Sequence, residues 1–267
     1  MSPLIADAGF TPYTLMALGA VLLLVALSIT IVVNTRESTR AHKDEAAIAE
    51  APLGKAGGFD LIRRDRYLLW IALLTVLLNF VNTTGEYLLG KLVETTAHTM
   101  FPAADQIASS RAFIGSFMGN FYGAVNLIGL LLQLFVTSRV MRYMGVRGAL
   151  FILPAIALVN YSVIAVAPIL AVVRITKILE NSTDYSIQNT VRQALFLPTS
   201  REAKYKAKAA IDTFFARIGD VTSAGVVKVG TSLAIGVTGF GWLMTGVAAV
   251  WLIVAGQIAR EHRKKTV

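Results

Sequence analysis

The sequence contains no cysteine and only three histidines, His42, His98 and His262, which are far apart in the chain. Thiolate catalysis, cysteine-ligated zinc or iron–sulfur clusters and disulfides are therefore excluded, and a histidine metal cage has no basis. Charge is scarce too. Asp, Glu, Lys and Arg make up 15% of the 267 residues, against about 25% in a soluble domain. Hydrophobic residues make up 55% and the mean hydropathy is +0.63. A soluble enzyme, a disordered chain, a collagen and a disulfide scaffold do not have this composition. The net charge of +9 would suggest nucleic acid in a soluble protein, so its placement decides what it means.

Long apolar runs are what the sequence has in quantity. A membrane-spanning helix needs about 20 mostly apolar residues, and seven stretches are candidates: Tyr13–Val33, Tyr67–Leu89, Phe113–Val136, Ala149–Val166, Ile169–Phe196, Ala209–Ile235 and Phe240–Gln257. The residues before the first run carry no Lys or Arg, unlike a secretory leader, so that run reads as a mature helix. The organisation expected is a single helix in residues 1–35, a polar linker over 36–66, and a six-helix bundle with a basic tail over 67–267. The fold class is all-α, a polytopic membrane helix bundle whose first partner is the lipid bilayer.

The basic residues follow the loops. The linker Asn34–Arg66, the segments Thr137–Gly148 and Leu197–Lys208, and the tail together hold eighteen Lys and Arg. The alternating loops on the other side hold two, Lys91 and Arg111. Positive charge accumulates on the cytoplasmic side of membrane proteins, so the linker and C-terminus are expected there and the N-terminus outside. The net charge then reads as a topology signal, and no nucleic-acid partner is expected.

Charged and amide residues inside the spans point to function. A charge near mid-membrane costs at least about 2.5–3.5 kcal/mol, so it persists only in a bundle interior or a wet cavity. At 100° per residue, Arg174, Lys177, Asn181, Asp184, Gln188 and Arg192 fall within roughly an 80° sector, with Glu180 just outside it. Thr213, Arg217, Asp220 and Lys228 share roughly 80° of the sixth span, and Thr75, Asn79, Asn82, Thr83 and Glu86 share roughly 100° of the second. Three polar stripes turned toward one hydrated cavity would suit an anionic substrate, since Lys and Arg give charge-assisted hydrogen bonds to phosphate and carboxylate. The alternative is that the stripes are interhelical ion pairs that hold the bundle together. Arg217 and Asp220, three residues apart, can neutralise each other.

Other motifs carry less. Gly115, Gly119 and Gly123 form a small-residue stripe that lets a neighbouring helix approach closely. The run from Gly85 to Leu92 matches G-x-x-x-x-G-K, but Leu92 stands where a phosphate-binding loop needs Ser or Thr, and no strand precedes it. Neither H-E-x-x-H nor G-x-S-x-G occurs. Neither an enzyme nor a cofactor is expected.

The segment TSRVMRYMGVRG (Thr137–Gly148) resembles the loop signature G-x-x-x-D-R-x-G-R-R of the major facilitator superfamily. Arg142, Tyr143, Gly145, Val146 and Arg147 fit, and the usual aspartate is missing. A longer run, KILENSTDYSIQNTVRQALFLP from Lys177, continuing through TSREAKYKAKAAIDT to Arg217-Ile-Gly-Asp220, is similar to the tenth helix, following loop and eleventh helix of the ATP:ADP antiporter (nucleotide translocase) family. The similarity extends over about Phe59–Arg260. It implies alternating-access exchange of ATP and ADP across a bacterial inner membrane, or transport of another anionic metabolite by some members. The family's two six-helix halves imply that this chain is the sixth helix, central linker and C-terminal half of a longer protein. The other half would come from the missing N-terminal part or from a second polypeptide. Carried over by position, Lys177 is the lysine that faces the nucleotide, Glu86 matches the acidic residue of the seventh helix, and Glu180, Asn181 and Asp184 complete the motif. Arg174 and Lys228 would join Lys177 on phosphates, and Asn79, Asn82, Asn181 and Gln188 would bond base or ribose. Arg217, Asp220, Arg142 and Arg147 would form gating ion pairs, with Glu86 and Asp184 contributing. A non-transporting membrane scaffold is the remaining alternative.

Overall fold

The computed structural model describes residues 12–40, 54 and 56–266, and every regular element among them is helical. The chain divides into two units at Gly54. The first contains α1, Pro12–Arg40, Leu- and Val-rich and uncharged up to Arg36. Its hydroxyls are silenced locally. Ser28 Oγ donates to the Leu24 carbonyl and Thr30 Oγ1 to that of Ala26, both at 2.8 Å, so the exposed helix offers few free polar groups to hydrocarbon.

The second unit is built around α3. A short α2, Gly58–Arg64, leads to Asp65, whose carboxylate accepts from the Tyr67 amide at 2.9 Å and so caps α3, Arg66–Met100. Then come α4, Ile107–Leu131, and α5, Thr137–Ala149, joined through a wide π-turn at Leu132–Val136. Gly145 interrupts α5 at φ 65°, a left-handed conformation that glycine adopts without steric cost. Next are α6, Ile152–Val166, which stops before Pro168, and α7, Leu170–Thr183. A second π-turn, Asp184–Gln188, carries α7 into α8, Asn189–Leu195. Two more π-turns, Ala203–Ala207 and Ile211–Phe215, flank the short α9, Lys208–Ala210, and lead into α10, Ala216–Ser232. The last helix is α11, Val237–Thr266.

Helix α3 packs against α4, α7, α10 and α11, while α6 lies between α7 and α11. Two glycines let helices approach closely. An added Cβ at Gly219 of α10 would stand 2.5 Å from the Val76 carbonyl oxygen of α3, and one at Gly241 of α11 would stand 2.6 Å from the Ala165 nitrogen of α6. Such approach is the main attraction available between helices in lipid, which is as apolar as the side chains. The expected glycine stripe behaves differently: a Cβ added at Gly115 or Gly123 would meet no other part of the chain within 4 Å. The Tyr67 hydroxyl donates to the Leu195 carbonyl at 2.7 Å, satisfying an acceptor that the end of α8 leaves open.

Among the described residues, four helices are long and apolar enough to cross a membrane: Met16–Arg36, Arg66–Met100, Ile107–Ala149 and Val237–Thr266. The other three expected spans fall short for identifiable reasons. Helix α6 has 15 residues, about 22 Å at 1.5 Å per residue. The fifth and sixth expected spans carry most of the intramembrane charge and so fall short in composition. The polar segment expected from Gly90 to Ala112 is mostly helix, since α3 runs on to Met100 and α4 begins at Ile107.

Candidate functional site

The polar residues of α3, α6 and α7 meet inside the bundle. Lys177 Nζ donates to Glu180 Oε1 at 2.8 Å, and the two side chains are 1% and 5% exposed. Glu180 is further held by Asn160 of α6, whose Nδ2 donates to Oε2 at 2.5 Å, and by the Tyr161 hydroxyl, 3.2 Å from Oε1. Thr176 Oγ1 donates to Asn160 Oδ1 at 2.5 Å. A buried ion pair is tolerable only when its remaining hydrogen-bonding capacity is also filled, and Asn160 and Tyr161 do this for the carboxylate. Gly85 of α3 makes the room. A Cβ there would stand 2.5 Å from Lys177 Nζ and would collide with the Tyr161 hydroxyl. The first glycine of the apparent phosphate-loop pattern is therefore a space-maker for a lysine on another helix.

One residue along α7, Asn181 belongs to a second cluster that reaches solvent. Its Nδ2 donates to Glu86 Oε1 at 2.7 Å, and Glu86 Oε2 accepts from the exposed Tyr122 hydroxyl of α4 at 2.7 Å. Asn181 Oδ1 is buried without a partner. Asn82, Asp184, Glu180, Asn181 and Trp251 share a cavity of about 10 Å³. That is about the space one water needs.

Two ion-pair groups lie further along. Asp220 accepts from Thr83 Oγ1 at 2.9 Å and from Arg217 at 3.0 Å. Asp212 bridges Arg192 at 2.9 Å and Lys208 at 3.1 Å. Beside Asp220, the Thr84 and Ser223 hydroxyls meet at 2.8 Å and tie α3 to α10.

The expected residues therefore separate into groups. Lys177 and Glu180 form one paired group, Asn181, Glu86 and Tyr122 form a second beside it, and Glu180, Asn181, Asn82 and Asp184 line the same small cavity. Arg174 sits over the Phe117 ring at 5.2 Å. Asn79 Nδ2 is satisfied by its own helix, at the Thr75 carbonyl. Gln188 is buried with both amide atoms unpartnered. Lys228, Arg142 and Arg147 are exposed. The single hydrated vestibule expected from the stripes is not the arrangement found, because Lys177 is sealed while Lys228 faces outward. Beyond Lys177, the π-turn Asp184–Gln188 also breaks the stripe of the fifth expected span. Each extra residue in a wide turn shifts the following face by about 100°, so a stripe drawn on a uniform helix loses its phase after Asp184. Sequence reasoning missed Gly85, Asn160, Tyr161, Thr176 and Tyr122. The available signal was Asn160, an amide in the otherwise apolar run of α6, where a polar group asks for a partner.

A helical membrane protein that stores ion pairs within its bundle and along one polar face is the class defined by this fold and site. Comparison with known proteins makes the class specific. Residues 10–262 match the TLC ATP/ADP transporter family, and the chain belongs to that family. A Chlamydia pneumoniae protein named ADP,ATP carrier protein 1 is 26% identical over 167 residues, covering 53% of this chain and 32% of the relative. Its Chlamydia trachomatis namesake is 26% identical over 185 residues, 60% of this chain and 32% of the relative. ADP,ATP carrier protein 5 of Rickettsia bellii is 43% identical over 54 residues, 20% of this chain and 11% of the relative. The matched stretch thus spans about a third of the Chlamydia relatives. No solved structure matches the chain.

Proposed function

We propose that this chain forms one half of a membrane nucleotide antiporter that exchanges ATP and ADP by alternating access. A further six-helix half, carried by the same polypeptide or by another, completes the path, in a seven-span, facilitator-type arrangement of this chain in a bacterial inner membrane with its C-terminus cytoplasmic. The observation that carries the reading is the placing of the sealed Lys177–Glu180 pair next to the solvent-reaching Asn181–Glu86–Tyr122 group, with Glu180 and Asn181 lining one small cavity, in a chain of the TLC family.

In this reading the open faces of α3, α4, α7 and α10 form the wall of the substrate path. Lys177 is stored on Glu180 and turns to a nucleotide phosphate when the wall opens, while Asn160 and Tyr161 keep hold of the Glu180 carboxylate. Arg174 adds positive charge, Asn82 and Asn181 offer amides to base or ribose, and the Arg217–Asp220 pair breaks and reforms as the path opens and closes. Lys228, Arg142 and Arg147 are left for contacts with the second half.

The test is uptake of labelled ATP against internal ADP in proteoliposomes containing both halves. Lys177→Ala alone would leave Glu180 buried and unpaired, so the informative variant is Lys177→Met combined with Glu180→Gln, which removes both charges together. Saturable exchange in the wild type, lost in a folded double variant, supports the reading. A second reading, in which the pair only packs the bundle, is favoured by its burial. It requires the double variant to exchange like the wild type.

A further inference from the structure

A second concentration of positive charge lies far from this network. Arg66 at the start of α3 and Arg260, Arg263 and Lys264 near the end of α11 line one open pocket of about 810 Å³, together with Gln257 and Glu261. Arg66 lies twenty residues before Glu86 on the same helix, about 30 Å along its axis. The nearby carboxylates are already taken. Glu261 holds Lys264 at 2.8 Å, and Asp65 holds Lys265 at 2.9 Å while capping α3. Arg66, Arg260 and Arg263 are exposed and pair with no carboxylate among the described residues.

What surrounds the pocket selects among anions. On α11, Ile253, Gln257, Arg260 and Lys264 recur at spacings of four, three and four, so they share one face. On α3, Leu69 and Trp70 follow Arg66 at one turn. Leu69, Val250 and Ile253 are exposed. The charged pocket therefore sits at the end of an apolar, outward-facing surface on two helices that are long enough to span a bilayer. A soluble anion uses only the arginines. An amphiphile with a phosphate head and acyl chains uses both parts. Arginine is suited to the head because its planar fork bonds phosphate oxygens in pairs, and basic pockets between helices at the membrane surface suit anionic headgroups.

We infer that the pocket between the start of α3 and the end of α11 is a binding site for an anionic phospholipid. Arg66, Arg260 and Arg263 hold its phosphate, and its chains run along Leu69, Val250 and Ile253. The site is independent of the transport reading, requiring only that the bundle is embedded in lipid. Two of its residues, Arg263 and Lys264, lie past residue 262, where the family match ends.

The test is native mass spectrometry of the full chain extracted from membranes with equal phosphatidylglycerol and phosphatidylcholine. The wild type retains phosphatidylglycerol selectively. Each of Arg66→Gln, Arg260→Gln and Arg263→Gln weakens retention about fivefold, the effect of roughly one cationic contact at a membrane surface. Arg142→Gln, which changes an exposed arginine on α5, leaves retention unchanged. These positions are exposed, and circular dichroism in zwitterionic lipid checks that each variant is folded. Equal retention of the two lipids, equal loss in Arg142→Gln, or unchanged retention in all three pocket variants overturns the inference. Inorganic phosphate raising the melting temperature in phosphatidylcholine as much as phosphatidylglycerol does also overturns it, since the site would then be one for a soluble anion.

Discussion

Lys177–Glu180 and Arg217–Asp220 are the same device in sequence: a cation, two residues, then an acid, all on a helix. Their nitrogen–oxygen distances are nearly equal, 2.8 and 3.0 Å, yet the first pair is 1% and 5% exposed and the second 83% and 30%. The spacing makes either pair easy to form. What separates them is the surroundings. Glu180 is met by an amide and a phenol from α6, and Gly85 clears space for the lysine. Asp220 has one hydroxyl from α3, and its arginine lies in the open. Burial turns a local contact into a commitment of three helices, because neither charge can then be left alone.

The comparison breaks most visibly at Lys177. Lys177→Ala strands the Glu180 carboxylate in the interior, and the expected loss is about 3–5 kcal/mol, the cost of orphaning a buried charge. Denaturant titration in detergent micelles reads it. Adding Glu180→Gln to the lysine substitution recovers most of the loss. A smaller effect is expected at Gly85→Ala, where the new methyl group presses on Lys177 Nζ and the Tyr161 hydroxyl. Overpacking of this kind costs about 1–3 kcal/mol, and the melting temperature should fall without any change in charge. The smallest effect belongs to the exposed pair. A double-mutant cycle of Arg217→Ala and Asp220→Ala should give a coupling of about 0.2–1 kcal/mol that shrinks as salt is added. A coupling there as large as that at Lys177–Glu180 would erase the distinction.

These differences also show how far the sequence could be read. Lys177, Asn181 and Glu86 stood out because charges and amides inside apolar runs need an explanation, and the helical repeat put Lys177 and Asn181 on one side. Glu180 fell just outside that sector, yet it is the partner of Lys177, since three-residue spacing on a helix allows the contact whatever the stripe. Asn160 carried the same signal, but as a lone amide in the run of α6 it formed no stripe. Gly85 was visible only as part of a misleading phosphate-loop pattern, because a glycine's role depends on what stands opposite it. The all-helical architecture was legible from the apolar runs. The π-turns that divide the fifth and sixth runs were not, for a wide turn leaves no residue signature and yet moves every later side chain to another face.

The storage of a charge by the sealed pair for nucleotide exchange is a proposal that transport can test. The most direct measurement is the rate of labelled ATP uptake against internal ADP in proteoliposomes with both halves, comparing the wild type with Lys177→Met/Glu180→Gln. A double variant that keeps its fold but loses exchange is the result expected. Exchange at the wild-type rate would contradict the account and leave the pair as packing alone.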